Sequence, residues 1–474
     1  MNKMAETMEV PRKLTRGAGL LHFGLELRET AKLALPMILT QVGQIAMMTT
    51  DLAFIGRIGA DAVAAASLAS RVYLVSFTFG AGVLAGIVPL AAQAFGANNL
   101  ALVRCTLRMG LWAAVILSFP MIVFALQGEQ LLLAFGQAPD AARLAQQYLI
   151  GMAWGVGPAL SFLAIRGFMN AVHQPEPVLW ITLGAIPTNA LVVYLLVFGK
   201  LGLPRLELFG AGLATTIVNY ATCLVGLWFA TTRHPFREYR ILAHFWCFDW
   251  TVMRQLVVIG TSSSITSLMG YGLVSAAALL AGAISTSVLA AHQVAVQVSA
   301  ILFMVPFGIS MAAAVRIGHA IGLNDHQGVK RAAVVAMLLG VVLATVLTVL
   351  VIAGRFKIAV LFLGESGDPV TVHLAAQLVF VGAGFFITDA VASIASGSLR
   401  GLRDTWVPLI FAGIAYWLIG FSLSYVLSLR IGLAAIGIWI GLSIGAMVYA
   451  GLLVTRFQLL VSRLSLQSEP AQRF

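Results

Sequence analysis

Residues 331–353 read RAAVVAMLLGVVLATVLTVLVIA, and no charged side chain follows Arg331 until Arg355. A helix needs about 20 apolar residues to cross the hydrocarbon core of a bilayer. The stretch lacks the alternation of a barrel strand and is about twice as long as a tilted strand requires. It therefore predicts one transmembrane helix.

The composition of the 474-residue chain extends this prediction to nearly all of it. Hydrophobic residues make up 60% and charged residues 10%, against about 45–50% and about 25% in ordinary globular proteins. A soluble protein could not cover its surface with so few polar groups, and a disordered chain would be far more polar. The three cysteines lie far apart, and no Walker, HExxH or GxSxG motif occurs. We therefore expect no metal site, no cofactor and no enzyme activity.

Apolar stretches of similar length recur between charged or Gly/Pro-rich breaks. They predict twelve spans, at 33–56, 71–95, 107–127, 146–169, 178–199, 209–231, 255–281, 291–315, 331–353, 374–399, 406–428 and 433–455. With the N-terminus in the cytoplasm, the inside segments hold 21 of the 29 Lys and Arg residues and the outside segments hold 8. This asymmetry follows the positive-inside rule and predicts a multi-pass protein with both termini in the cytoplasm. It also accounts for much of the net charge of +11, so we expect no nucleic-acid partner.

The two halves of the chain resemble each other. Gly96-Ala97-Asn98-Asn99 after span two matches Gly322-Leu323-Asn324-Asp325 after span eight at an offset of 226, which pairs Gln93 with His319. Both halves have the same orientation across the membrane, so the repeat is parallel. We therefore expect a substrate site between the halves. The alternative is that the matches reflect repeated membrane composition.

We predict an all-α integral membrane protein with twelve transmembrane helices in two six-helix bundles related by this parallel repeat. Its parts are a cytoplasmic N-terminal tail, an N-terminal bundle, a cytoplasmic linker, a C-terminal bundle and a cytoplasmic C-terminal tail. In that order they cover residues 1–32, 33–231, 232–254, 255–456 and 457–474.

Of the 18 acidic residues, only Asp51 and Asp389 lie inside predicted spans. A charge at that depth costs about 2.5–3.5 kcal/mol on insertion scales, so such a residue is typical of a wet cavity or an ion pathway. We predict that both residues exchange an ion or a proton. The alternative is a structural carboxylate bonded to a neighbouring helix. No Lys or Arg lies deep in a span, so the cavity favours cationic ligands.

Other residues at helical spacing complete the predicted cavity. Gln44 shares a helix face with Asp51, and Ser393 and Ser396 share one with Asp389. Further candidates for the substrate-lining surface are Asn189, Ser264, Tyr271 and Phe385. The alternative is that single polar residues of this kind join helices through hydrogen bonds.

Three motifs point to a known family. Span one contains Thr50-Asp51-Leu52-Ala53-Phe54-Ile55-Gly56, span two contains Val88-Pro89-Leu90-Ala91-Ala92-Gln93, and span ten contains Thr388-Asp389-Ala390 followed by Gly397-Ser398-Leu399-Arg400-Gly401. In this order and spacing the chain resembles the MATE (multidrug and toxic compound extrusion) transporters, in particular their NorM-type bacterial branch. The resemblance implies two bundles arranged in a V in a bacterial inner membrane. It also implies export of cationic, amphipathic drugs or toxic organic compounds from the cytoplasm, coupled to inward H⁺ or Na⁺.

The resemblance also assigns residues. Asp51 matches the family's acidic residue in the N-terminal bundle, Asp389 the one in the C-terminal bundle, and Asn189 a cavity Asn. Where relatives with a described Na⁺ site carry Glu and Tyr, this sequence has Gly270 and Phe385, so we expect protons rather than Na⁺ to drive export. The alternatives are a lipid-linked oligosaccharide flippase of the same superfamily and an integral-membrane enzyme. We expect a monomer surrounded by the lipid bilayer.

Overall fold

The computed structural model describes residues 16–200, 202, 204–234, 236–239, 246–364 and 368–468, and within these ranges every regular element is helical. Parts of the predicted tails, 1–15 and 469–474, and of the linker, 235 and 240–245, lie outside the described residues. The first half contains helices α1 to α9, at Arg16–Gly56, Ala60–Leu84, Ile87–Gly96, Leu100–Leu126, Gly128–Ala134, Pro139–Ala153, Val156–Ala171, Glu176–Phe198 and Glu207–Thr232, followed by a 3₁₀ turn at Phe236–Tyr239. The second half contains helices α10 to α17, at Trp250–Ile284, Thr286–Gly322, His326–Leu363, Pro369–Val381, Ala383–Gly401, Trp406–Ala412, Ser422–Tyr425 and Ala434–Ser468. The eleventh span is irregular, with π-helical segments at Gly413–Phe421 and Val426–Arg430.

The helices account for the twelve predicted spans. Ten are long and apolar enough to cross a membrane as they stand, with α2 and α3 forming one of them. Two bent pairs, α6 with α7 and α13 with α14, supply the other two, and their bends are 50° and 42°. The spans predicted at 146–169 and 374–399 are therefore each broken by a bend.

Close packing at glycine and the geometry of proline explain the two breaks. Gly155 lies against α9, where a Cβ would stand 2.9 Å from the Cα of Thr216. Pro158 has no N–H to donate to the carbonyl of the residue four positions earlier, so α7 begins anew instead of continuing α6. Gly382 is confined in a similar way, since a Cβ there would stand 3.0 Å from the ring of Trp439.

The internal repeat is visible in the turns after matching helices. Asn98 follows α3 and Asn324 follows α11, and both have positive φ, at 54° and 56°. The next residue caps the following helix in each case: Asn99 accepts from a backbone N–H of α4 at 3.0 Å, and Asp325 accepts from one of α12 at 2.8 Å. Short polar side chains tolerate the left-handed conformation and cap helices well. The parallel repeat predicted from the sequence is thus present in the backbone.

The two halves meet at one end of the helices, which we call the closed end and which holds the turns 97–99, 172–175, 323–325 and 402–405. A Cβ on Gly96 would collide with the carbonyl oxygen of His319, and a Cβ on Gly322 would collide with that of Gln93. Gly96 and Gly322 are related by the repeat, as are Gln93 and His319, so the contact is reciprocal. Small residues permit such close backbone approach between membrane helices.

The hydrophobic cores show that the halves separate toward the opposite end, which we call the open end. Near the closed end, Leu33 and Met37 of α1 share a core with Ile309 of α11, and Leu256 of α10 joins the core of the first half. Toward the open end, one core contains only first-half residues and another only second-half residues. The described chain therefore forms two bundles joined at the closed end, with a cleft between them.

Two side-chain contacts reinforce the closed end. Arg316 of α11 donates two hydrogen bonds to one carboxylate oxygen of Glu26 in α1, at 2.7 and 3.0 Å. The imidazole rings of His173 and His319 pack edge-on, with their centroids 4.7 Å apart. Each contact links the first half to the second, so separation of the halves at this end breaks both.

Candidate functional site

Asp51 lies on α1, beyond the region where the halves meet, and is half-buried. Nδ2 of Asn189, on α8, donates a hydrogen bond to its Oδ1 at 2.5 Å. Gly43, two turns earlier on α1, lets α8 approach, because a Cβ there would stand only 3.2 Å from Cγ2 of Thr182. The structure thus brings together two of the residues predicted from the sequence.

The Asp51 carboxylate is held in place but is not neutralised. Among the described residues, no donor bonds to its other oxygen and no Lys or Arg forms an ion pair with it. Asn189 is 1% exposed, and its own Oδ1 has no hydrogen-bond partner. Gln44, two turns along α1, is half-buried. The alternative of a carboxylate bonded to a neighbouring helix therefore describes only one of the two Asp51 oxygens.

Asp389 lies near the middle of α14, in the second half, and is half-buried. Among the described residues, none donates a hydrogen bond to it or pairs with its charge. Two tyrosines on other helices are polar neighbours that interact electrostatically with the carboxylate: Tyr416, in the π-helical part of span eleven, and Tyr449, on α17. Their rings pack together with centroids 4.7 Å apart. The second carboxylate is thus surrounded by neutral groups.

Three predicted residues flank Asp389 on its own helix. Ser393 and Ser396 lie one and two turns away on the same face of α14, and both are half-buried. The backbone carbonyl of Ser393 accepts a hydrogen bond from Oγ of Ser310 at 2.6 Å, which ties α14 to α11. Phe385 lies one turn away on the other side and packs edge-on against a tryptophan of α17, with centroids 5.8 Å apart. It forms a wall of the site and offers no ligand oxygen.

The prediction that Ser264 lines the cavity is wrong. Ser264 is fully buried, donates a hydrogen bond to the carbonyl of Phe79 at 2.7 Å and packs against Gly82. It lies where α10 crosses α2, so its hydroxyl joins two helices. Tyr271, two turns further toward the open end, is 52% exposed, and a Cβ on the adjacent Gly270 would meet no atom within 4 Å. Span seven is therefore buried at Ser264 and exposed further along, toward the open end.

Tyr416 and Tyr449 belong to the site, and sequence reasoning missed them. Helical spacing relates residues on one helix, whereas these two reach Asp389 from two other helices. What could have indicated them in the sequence is a tyrosine inside an apolar span, because its hydroxyl needs a polar neighbour within the membrane.

Each half therefore carries one half-buried carboxylate that no described cation neutralises. In low-dielectric surroundings such a group is stabilised by binding a proton or a cation. The described residues contain no group of three or more His, Cys, Asp and Glu side chains that could hold a metal ion. The arrangement suits the reversible binding of one positive charge in each half.

Twelve spans in two parallel repeats, joined at one end and carrying a carboxylate in each repeat, define a multi-pass membrane transporter. The family model described as MatE matches residues 36–195 and 259–426, one segment in each half. The chain belongs to the MatE family. The prediction of a NorM-type MATE transporter is confirmed, and the alternative of a membrane enzyme is wrong.

Relatives and solved structures agree with this assignment. The chain is 54% identical over 462 residues to a probable multidrug resistance protein NorM of Bradyrhizobium diazoefficiens, covering 97% of this chain and 99% of the relative. It is 51% identical over 433 residues to a protein of the same name from Rhodopseudomonas palustris, covering 91% of each. A solved MATE structure in a bent conformation matches the fold with a TM-score of 0.85 at 18% identity, covering 96% of this chain and 100% of that one. A eukaryotic MATE transporter matches with a TM-score of 0.83 at 18% identity, covering 93% and 98%.

Proposed function

We propose that this protein is a secondary antiporter that exports cationic, amphipathic organic compounds from the cytoplasm in exchange for inward-moving protons. The observation that carries the proposal is Asp389, a half-buried carboxylate to which no described residue donates a hydrogen bond or a charge. Such a group can bind a proton or a cationic drug in turn. The relatives named as probable multidrug resistance proteins support drugs as the cargo.

Competition for the carboxylates couples the two movements. When a proton binds Asp389, the negative charge that attracts the drug is removed, and the drug is released. Each ligand must bind the two conformations of the transporter with different affinity, because only differential binding shifts a conformational equilibrium. Asp51 does the same in the first half, where Asn189 keeps one of its oxygens in place.

Protons fit the described site better than Na⁺. A dehydrated Na⁺ ion needs several oxygen ligands, and neither Gly270 nor Phe385 supplies one. Ser393 and Ser396 lie on the same helix as Asp389, which limits how many of their oxygens can surround one ion. A proton needs a single carboxylate oxygen.

We also propose that the closed end faces the cytoplasm of a bacterium and that the cleft opens outward across its inner membrane. Arginines at or near this end of the described helices support the orientation under the positive-inside rule: they are Arg104, Arg108, Arg316, Arg400 and Arg403. Both termini then lie in the cytoplasm. One chain contains both carboxylates, so a monomer suffices.

Drug export from sealed proteoliposomes tests the proposal. A cationic fluorescent drug is loaded inside, and the external buffer is made acidic without Na⁺. We expect export that stops when a proton ionophore dissipates the gradient. Export that stays absent until an inward Na⁺ gradient is supplied would contradict proton coupling. Absence of export under both gradients would contradict the antiporter itself.

A further inference from the structure

We propose that Tyr449 is a proton relay between Asp389 and the closed end, working with Ser396 and Arg400. The proposal rests on the proton antiport proposed above and names the route by which the proton leaves the second half. The route lies inside that half, between α14 and α17, and is separate from the cleft between the halves.

One face of α14 carries the polar groups of this route. Asp389, Ser393, Ser396 and Arg400 are spaced by four, three and four residues, which places all four side chains along one side of the helix. Eleven residues at the helical rise separate Asp389 from Arg400 by about 16 Å. That distance is too long for direct transfer, so a group between them is required.

Tyr449 occupies this middle position. It lies on α17, is 3% exposed and belongs to one hydrophobic cluster with Ala395 and Leu399 of α14. Its hydroxyl lies beside Ser396 and interacts electrostatically with both Asp389 and Arg400. A single phenol therefore lies beside the middle of the polar face and interacts electrostatically with the groups at both of its ends.

The buried Tyr449 hydroxyl makes no well-aligned hydrogen bond, and the Ser396 hydroxyl beside it is a weak partner. A buried hydroxyl with so weak a partner is unfavourable and calls for an explanation, such as a functional role. A phenol can accept one hydrogen bond while it donates another. It can therefore take the proton of the Asp389 carboxyl group, which becomes a carboxylate, as its own O–H proton passes to water. Where Ser396 lies between Tyr449 and water, it accepts that proton and gives up its own hydroxyl proton to water in the same step. The fixed positive charge of Arg400 then disfavours retention of the proton, which leaves to water at the closed end.

The test compares Tyr449→Phe with wild type in proteoliposomes. Tyr220→Phe, which removes a hydroxyl from a 48% exposed tyrosine on α9, is the matched control. Three quantities are measured: drug export driven by a pH gradient, exchange of labelled for unlabelled drug without a gradient, and the pH dependence of equilibrium drug binding. Only the first requires net proton release. We expect gradient-driven export to fall about 100-fold, as for loss of a proton-transfer group, and to fall far more than exchange or binding does.

Two outcomes would overturn the relay. One is export at the wild-type rate in Tyr449→Phe, and the other is an equal loss of export and exchange, which would mean a role in structure or drug passage. If Tyr449→Phe does not fold, as judged by thermal unfolding, Ser396→Ala keeps the ring and removes the neighbouring hydroxyl, and the same comparison decides. Failure of the antiport proposal is distinguishable, since wild type itself would then show no export under the pH gradient.

Discussion

Adding one methyl group at Gly96 should loosen the closed end. A Cβ at this position would collide with the carbonyl oxygen of His319 and stand 2.8 Å from Cδ2 and 3.0 Å from the carbonyl carbon of the same residue. The obstacle is backbone, so α3 and α11 must move apart. Overpacking of this kind costs about 1–3 kcal/mol. The contact joins the two halves, so the cost falls on the closed arrangement alone.

This free-energy cost lowers the population of the closed state relative to the separated state. A difference of about 1–3 kcal/mol changes the ratio of closed to separated states by about 5- to 150-fold. We expect amide hydrogen exchange in the turns 97–99 and 323–325 to accelerate by a similar factor in Gly96→Ala. Gly322→Ala should behave alike, because a Cβ there would collide with the Gln93 carbonyl.

The matched control is Gly184→Ala on α8, where a Cβ would meet no atom within 4 Å. If exchange in the two turns is as slow in Gly96→Ala as in this control, the reciprocal glycine contact does not hold the halves together. If the double variant Gly96→Ala, Gly322→Ala costs clearly more than either single variant, the two glycines do not form one reciprocal contact, because one displacement of α3 from α11 should relieve both collisions.

Three further predictions concern the carboxylates, span seven and pH. Asp389→Asn should abolish export driven by a pH gradient and leave the melting temperature unchanged, and Asp51→Asn should reduce this export. Export at the wild-type rate in Asp389→Asn would show that Asp389 is not part of the coupling site. Ser264→Ala should lower stability by about 0.6 kcal/mol, since it removes one bond between membrane helices, and leave drug affinity unchanged; a changed affinity would restore Ser264 to the cavity. Burial, aided by His319 and Arg316, lowers the pKa of His173 to about 3, whereas an exposed histidine titrates near about 6.5. When the halves separate below that pH, the His173 imidazole therefore takes up a proton. The closed arrangement should be most stable above about pH 6.5 and become less stable as the pH falls toward 3. Amide exchange in the turn 172–175, corrected for its intrinsic rate, would show this, and His173→Phe should flatten the profile.

Much of the architecture followed from single-helix properties. Length and apolarity predicted the spans, and the pairing of Gly96 with Gly322 predicted the repeat, since both depend on residues close in sequence. The breaks at Gly155 and Gly382 did not follow, because each depends on a partner helix that packs against the glycine. A glycine in a membrane helix does not reveal which side a neighbour occupies.

The same distinction, between properties of one helix and contacts between helices, separates the site residues that the sequence predicted from those that it did not. Asp51 and Asp389 stood out because a carboxylate in an apolar span is costly wherever the helix faces. Ser264 was misplaced because a serine suits both a cavity and a helix crossing, and only the position of Phe79 on α2 distinguishes them. Tyr449 was missed because its relation to Asp389 exists only after α14 and α17 have packed together.

The reciprocal glycine contact has a consequence for the origin of this architecture. In an isologous interface, each partner presents both the residue that is contacted and the residue that makes the contact. Gly96 and Gln93 in the first half meet His319 and Gly322 in the second, with the roles exchanged. A single six-helix unit therefore carries both sides of the interface, and two identical copies in the same membrane orientation could dimerise through it. Fusion of the two copies would then allow a carboxylate to be kept at a different place in each half: Asp51 lies in the first span of its half, and Asp389 lies in the fourth span of its half.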